Sequence, residues 1–390
     1  MKNRISGLAV ALFIMVAIGC SDNKASTTEV PSGGVATATA PEASKGPPTG
    51  PFKFAWSEYP SWSVFGVAHN KGYLDGREGE LGTYEKKWNV DVVLVEAEYD
   101  PCITMYGARE VDAAALTTLD ALKPTLSRPG VVVGPTSTSY GGDAVIVLNK
   151  YKTVDDLVGV TVRGLEQSVS QYVWARGLEV QGKDPAKFIY KNMDPGAAAL
   201  AMQQGDSNTP AIVVWNPFVG ETIRKVGDKV HILFDSTKIP GEIIDSIVIA
   251  RDSLGKPGGA DFAHALLDAY YAVNRDLANP ATRNDTLVAI GQKFSGLNAE
   301  QMEDVVNRTR FYSTPESGIS CWTGGAVLAG VSNETIQEVT PRVVNFALTY
   351  GILSPDRMPK VTFGKRTIAS DNDTTLLFDP SYMQVVANSQ

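Results

Sequence analysis

Residues 188–217 read FIYKNMDPGAAALAMQQGDSNTPAIVVWNP. Phe188–Lys191 has the composition of a short strand, and Ala211–Trp215 is a second one, rich in β-branched residues. Between them, Asp194-Pro195 puts a capping carboxylate before a proline at the first helical position. Asn216-Pro217 repeats the arrangement after the second strand. Strand, capped helix, strand, capped helix is the rhythm of a largely parallel sheet covered by helices.

The alternation continues outward from this stretch. Toward the N-terminus, Phe52–Trp56, Val90–Ala97, Asp112–Leu116 and Val131–Gly134 read as strands. Helices are predicted over Val64–Lys71, over Ile103–Arg109 and from Leu119. The turn cluster Thr136–Asp143 (TSTSYGGD) leads into the apolar strand Ala144–Leu148, and Val160–Arg163 is a further strand. Thr153–Asp156 and Ser168–Gln171 have capping-box spacing, and the second of these starts a helix at Val169. Beyond the strand Ser246–Ala250 the chain turns helical over Asp261–Leu277, Arg283–Phe294, Ala299–Arg308 and Asn333–Tyr350. The polar tail from Thr367 is expected to be irregular. The expected fold is α/β with a helical C-terminal part. The folded body, about residues 52–385, is too long for one small core and suits two lobes.

The N-terminal residues point to a compartment. Lys2 and Arg4 precede an apolar run, Leu8 through Ile18, which is too short for a permanent membrane span but has the length of a signal-peptide core. The run ends in Ala17-Ile18-Gly19-Cys20, which resembles the site where a bacterial lipoprotein receives its lipid. Residues 1–20 are therefore expected to be a lipoprotein signal peptide with lipid on Cys20. Residues 21–51, rich in Ser, Thr, Ala, Pro and Gly, are expected to be a flexible tether. The expected location is the periplasm or cell surface, anchored to a membrane.

Charge and composition exclude other classes. The chain carries 43 acidic against 35 basic residues and lacks the clustered Lys and Arg of a nucleic-acid footprint. Cys102 and Cys321 either pair in an oxidising compartment or lie apart as buried thiols, and the sequence leaves both open. With His69, His231 and His264 scattered, no metal spacing and no catalytic triad is formed, so neither an enzyme nor a cofactor is expected.

Several segments resemble the type II periplasmic binding proteins of the taurine, alkanesulfonate, nitrate and thiamine-pyrimidine-precursor group. They are Trp56–Pro60 (WSEYP) with Ala68 and Gly72-Tyr73, Val111–Ala113 (VDA), Thr153–Gly159 (TVDDLVG) and Trp215–Pro217 (WNP). Three more, Ser137–Val147 (STSYGGDAVIV), Glu166–Arg176 (EQSVSQYVWAR) and Val213–Pro217 (VVWNP), resemble binding proteins encoded beside urea carboxylases. The likeness covers about residues 53–250 well and the helical remainder loosely. One departure is Leu74–Tyr84, which looks like an insertion able to alter the cleft rim.

The resemblance implies two lobes joined by two crossings, near Thr138–Asp143 and Asp235–Asp245. Lobe one would be residues 52–138 and 245–390, and lobe two residues 143–240. It further implies a monomer that closes over a small solute and delivers it to the permease and ATPase of an ABC importer. A receptor is the alternative recipient. An enzyme related to thiamine-pyrimidine synthesis would share the fold, but this chain has no Cys cluster of the kind that branch uses.

Ligands of such lobes sit beyond strand ends, beside helix N-termini. That rule nominates Trp56, Glu58, Tyr59 and Trp62 after the first strand, Tyr99 after the second, and Thr117, Thr118 and Asp120 after the third. It adds Tyr140 and Asp143 at the crossing, and Glu166, Ser168, Asn192, Asp194, Trp215 and Asn216 in lobe two. Several have a plainer role. Ser168, Asp194 and Asn216 could only cap helices, Asp120 could only complement a helix dipole, Asp143 could only be a turn residue, and the tryptophans could be core. Free helix N-termini favour anions, as suits sulfonates. Here, however, Glu166, Asp194 and Asp120 sit at or near three such starts and would compete with an anion. A planar cation would pair with carboxylates and stack on Trp or Tyr. The expected solute is small and nitrogen-rich, of urea or guanidine type. The alternatives are an aliphatic sulfonate and a pyrimidine-type solute.

Overall fold

Asp143–Leu148 (DAVIVL) shows how the sheets are built. Ala144 and Ile146 point to one face and join a cluster with Ile212, Val214 and Val219. Val145 and Val147 point to the other and pack with Val162, Trp174, Val213 and Phe234. Strands buried on both faces read as unbroken apolar runs and need helices on either side. The computed structural model, which describes residues 46–325, 328–365 and 373–389, has this layering in two sheets. Residues 1–20, with Cys20, and most of the expected tether lie outside the described residues.

The larger sheet runs in the order Val361–Phe363, Leu376–Phe378, Gly130–Ser139, Ile244–Ala250, Ala113–Thr117, Thr49–Trp56, Val90–Glu96, with Thr309–Phe311 added beside Gly130–Ser139. The smaller runs Ile189–Asn192, Thr161–Gly164, Ala211–Trp215, Asp143–Leu148, Val230–Asp235. Two short connections link them. Ser139 leads into Asp143, and Asp235 returns through residues 236–243 to Ile244. The architecture is a two-lobed α/β fold with a helical C-terminal part.

Several local expectations are corrected. Asp194 does cap the helix Pro195–Gln203 by accepting the Ala197 N–H at 3.0 Å. Asn216 caps nothing, because Pro217 itself takes the cap position of Phe218–Val226. The tail is not wholly irregular. Leu376–Phe378 pairs in parallel with Gly130–Val132, and Ser381–Asn388 is a helix whose Met383 and Val386 are buried. Three consecutive apolar residues and one apolar helix stripe suffice where a long sheet strand still has an open edge. The insertion packs along the outer edge strand Val90–Glu96, where the Leu94 N–H donates to the Gly76 carbonyl at 3.1 Å. Covering an edge in this way blocks strand pairing with another chain. Cys102 and Cys321 are both free, buried thiols.

The helix Val169–Glu179 ties the lobes together. Trp174 and Leu178 face the smaller sheet, whereas Val169, Tyr172 and Val173 join the main core, where Tyr172 meets Phe346 of the C-terminal helix Ile336–Thr349 edge-on. Buried Glu242, in the return connection, sits between these helices. It accepts from the Tyr172 hydroxyl at 2.6 Å and from Arg176 at 2.9 and 3.0 Å, with Arg342 3.4 Å away. Burial opposes the charge, but the bonds from Arg176 and Tyr172 outweigh it and hold the carboxyl below its ordinary 4.5. The stability this contributes is present above about pH 4.5 and is lost as the pH falls through the lowered value. Glu242→Gln should cost about 1–3 kcal/mol at pH 7, since both arginines keep a second acid, and much less near pH 3. Denaturant unfolding at the two pH values checks this. Equal stability of both proteins at pH 7 would show that the cluster adds nothing.

Candidate functional site

A cavity of about 790 Å³ opens between the sheets, at the ends of the strands Thr49–Trp56, Ala113–Thr117 and Ala211–Trp215. One wall is aromatic. Tyr59 lies 4.8 Å from Trp62 between ring centroids, and Trp62 stacks on Tyr99 at 5.3 Å. Trp215 lines the cavity from the smaller sheet.

Three aspartates lie among these rings. Asp120 follows Ala113–Thr117, and its Oδ2 accepts from the Tyr99 hydroxyl at 2.8 Å and the Thr117 hydroxyl at 2.7 Å. Asp143 opens the first strand of the smaller sheet and is 3% exposed. Asp245, 1% exposed, sits in the wholly buried strand Ile244–Ala250, in register with Thr117 on one side and Ser137 on the other. The Ser137 hydroxyl donates to Asp245 and lies 2.8 Å from Ser61 Oγ, and the Tyr59 hydroxyl faces the same carboxyl.

None of these aspartates forms an ion pair among the described residues. Their protonation reflects that. Burial, then repulsion from Asp235, pushes Asp143 up to about 6. Burial, then repulsion from Asp143 and Asp120 against the Ser137 bond, drives Asp245 well above its ordinary value. Burial raises Asp120, despite bonds from Thr117 and Tyr99. Buried like charges resist joint ionisation, so these carboxyls hold protons more readily than free ones.

Of the residues nominated from sequence, Glu58, Tyr59, Trp62, Tyr99, Thr117, Asp120, Asp143, Glu166, Ser168 and Trp215 line the cavity. Six do not. Trp56 is core, its ring so close to Gly66 that a Cβ there would stand 2.9 Å away. Thr118 is buried behind the wall beside Tyr172. Tyr140 carries the Arg310 guanidinium 4.5 Å from its ring centroid, away from the cleft. Asn192 holds the rim loop by accepting the Glu166 N–H at 2.9 Å, Asp194 is a helix cap, and Asn216 is buried beside the wall. Glu166 itself is exposed at the rim.

Asp245 was not among the nominated residues. Its signal was an acid that, with Ser246, interrupts the apolar run Ile243–Ala250 (IIDSIVIA). Lys123 and Arg357, the basic residues of the lining, were also missed because they lie on a helix end and in a C-terminal loop. None of the three histidines lines the cavity. His69 bonds the Asp75 carbonyl, His231 Asn149, and His264 packs on Trp88.

The fold has solved counterparts. The periplasmic aliphatic sulphonate binding protein SsuA from Escherichia coli matches with a TM-score of 0.58 at 18% identity, over 79% of this chain and 94% of that one. The fold is that of a periplasmic binding protein. The alkanesulfonate-binding protein SsuA from Xanthomonas axonopodis pv. citri, bound to MOPS, matches at 0.57 with 13% identity, over 80% and 97% of the two chains. A putative sulfonate-binding SsuA from Methylobacillus flagellatus reaches 0.62 at 13% identity, over 88% and 95%. No protein-family model and no curated protein matches the chain by sequence. At such identities the likeness concerns the periplasmic-binding-protein fold, and the cleft chemistry has to be read from the residues themselves.

Proposed function

We propose that this protein is an extracytoplasmic solute-binding protein that captures a small cationic, nitrogen-rich solute of the guanidine type between its lobes and delivers it to an ABC importer. The observation that carries this reading is the convergence of Asp120, Asp143 and Asp245, without ion-pair partners among the described residues, on one cavity walled by Tyr59, Trp62, Tyr99 and Trp215. Carboxylates offer a guanidinium paired acceptors, and indole and phenol faces stack on its plane. Urea has the same shape without the charge and would bind more weakly. A sulfonate, the ligand class in the names of the structural neighbours, would meet three acids at the aromatic wall.

Only the closed, folded form holds the solute, so ligand should raise the melting temperature. A thermal-shift panel of guanidinium, urea, methanesulfonate and a pyrimidine tests the reading. The expected order puts guanidinium first, urea second and methanesulfonate at zero. A shift with methanesulfonate and none with guanidinium would replace the cation with an anion while leaving the transport role in place.

The compartment follows from the N-terminal pattern, with Cys20 as the lipid site. Cys20→Ser should move the protein from the membrane to the soluble fraction. Equal membrane retention of the variant would remove the anchor from this account.

A further inference from the structure

We infer that the solute is two-ended, a guanidino acid whose cationic head sits among Asp120, Asp143 and Asp245 and whose anionic tail lies between Lys123 and Arg357. This rests on the cation reading above. The first observation is size. Four heavy atoms, the content of guanidinium or urea, fill on the order of 100 Å³ at roughly the 30 Å³ a water occupies in the liquid. The cavity, at about 790 Å³, has room for several times that.

The second observation is the order of charge along one wall. Asp120 and Lys123 belong to the helix Thr118–Thr125, three residues apart and therefore on one face, about 4.5 Å apart along its axis. Both line the cavity, as do Pro124 and Ser127 further along. The wall thus runs from a partly buried acid to an exposed base. The C-terminal helix Ile336–Thr349 packs on this helix, and the loop that follows brings Ile352, Leu353, Ser354 and Arg357 to the same cavity.

The third is that neither base is occupied. Lys123 and Arg357 make no ion pair and no side-chain hydrogen bond among the described residues. By contrast Arg176, Arg342 and Lys183, also near the lobe junction or on the smaller lobe, are each bound to an acid. Asp100, exposed on the facing helix Tyr99–Gly107, and Glu166 at the rim also line the cavity, and neither pairs with Lys123 or Arg357 among the described residues. The interior group is acidic throughout. Free guanidinium would leave the basic end empty, and a dication such as agmatine would place its second charge against it. A guanidine with a carboxylate or sulfonate on a short aliphatic spacer satisfies both ends.

The test compares ligands matched in length: butylguanidine, 4-guanidinobutyrate and agmatine, with guanidinium as reference. Equilibrium titration should rank 4-guanidinobutyrate about five- to tenfold above butylguanidine and agmatine last. Exposed charges are screened, so the preference should shrink in high salt. In the double variant Lys123→Gln, Arg357→Gln the ratio of the 4-guanidinobutyrate to the butylguanidine affinity, both read on the same protein, should fall to about one. If guanidinium and butylguanidine bind but the acid-tailed ligand binds no tighter, or the double variant keeps the preference, the two-ended solute is overturned and the cation reading stands. If no guanidino compound binds at all, both fall together.

Discussion

Asp245→Asn is expected to abolish binding of the cationic solute while leaving the empty protein as stable as before or more so. The carboxyl lies on a central strand with burial and Asp143 opposing its charge, so the folded state carries it at a cost. An amide of the same shape removes that cost. Its oxygen still accepts the hydroxyl proton of Ser137. The solute, in contrast, loses charge-assisted hydrogen bonds worth about 1.5–3 kcal/mol each. Two such bonds correspond to a loss of about a hundredfold or more in affinity. Denaturant unfolding and titration of the same variant check the two signs together. A destabilised variant with unchanged affinity would make Asp245 a structural residue and empty the site of its central group.

The second large effect is on pH. Asp143 has an ordinary value of 3.8 and is pushed up to about 6 in the folded protein. Between these values the folded state holds a proton that the unfolded state has released. The stabilising contribution present below 3.8 is therefore lost as the pH rises through about 6. Cation binding runs the other way, because it favours the ionised carboxyl. Affinity should rise as the pH approaches about 6, by up to ~tenfold per pH unit for each proton released, and Asp245 extends the rise to higher pH. An anionic solute would bind better in acid. Titrations at pH 5, 6 and 7, in buffers of differing ionisation enthalpy, separate the two by the sign of the slope and by the protons released.

Much of the architecture is legible because its signals are local. Asp194-Pro195 caps a helix by itself, and Ala211–Trp215 is buried on both faces and so reads as an unbroken apolar run. The Asn216-Pro217 pair shows the limit. The same two residue types fit a cap, yet the backbone there starts its helix one residue later. Leu376–Phe378 was illegible because a three-residue strand has meaning only beside Gly130–Val132. The aromatic wall was partly visible, since Tyr59, Trp62 and Tyr99 follow strand ends. Trp56 and Trp62 are equally buried, but Trp56 packs against Gly66 whereas Trp62 stacks on Tyr99 in the cavity wall. The acid group was half visible. Asp120 and Asp143 stand at turns, whereas Asp245 is brought to them by the return of the chain from the second lobe. Its burial is a property of the assembled sheet, and so is the shifted protonation.

The claim that this cleft is built for a cation is met most directly by calorimetric titration of residues 46–390, at pH 7.5 and low salt, with guanidinium and with methanesulfonate. The account predicts saturable one-site binding of guanidinium, lost in Asp245→Asn, and no heat of binding with methanesulfonate. Saturable binding of methanesulfonate, with guanidinium inert, would contradict it.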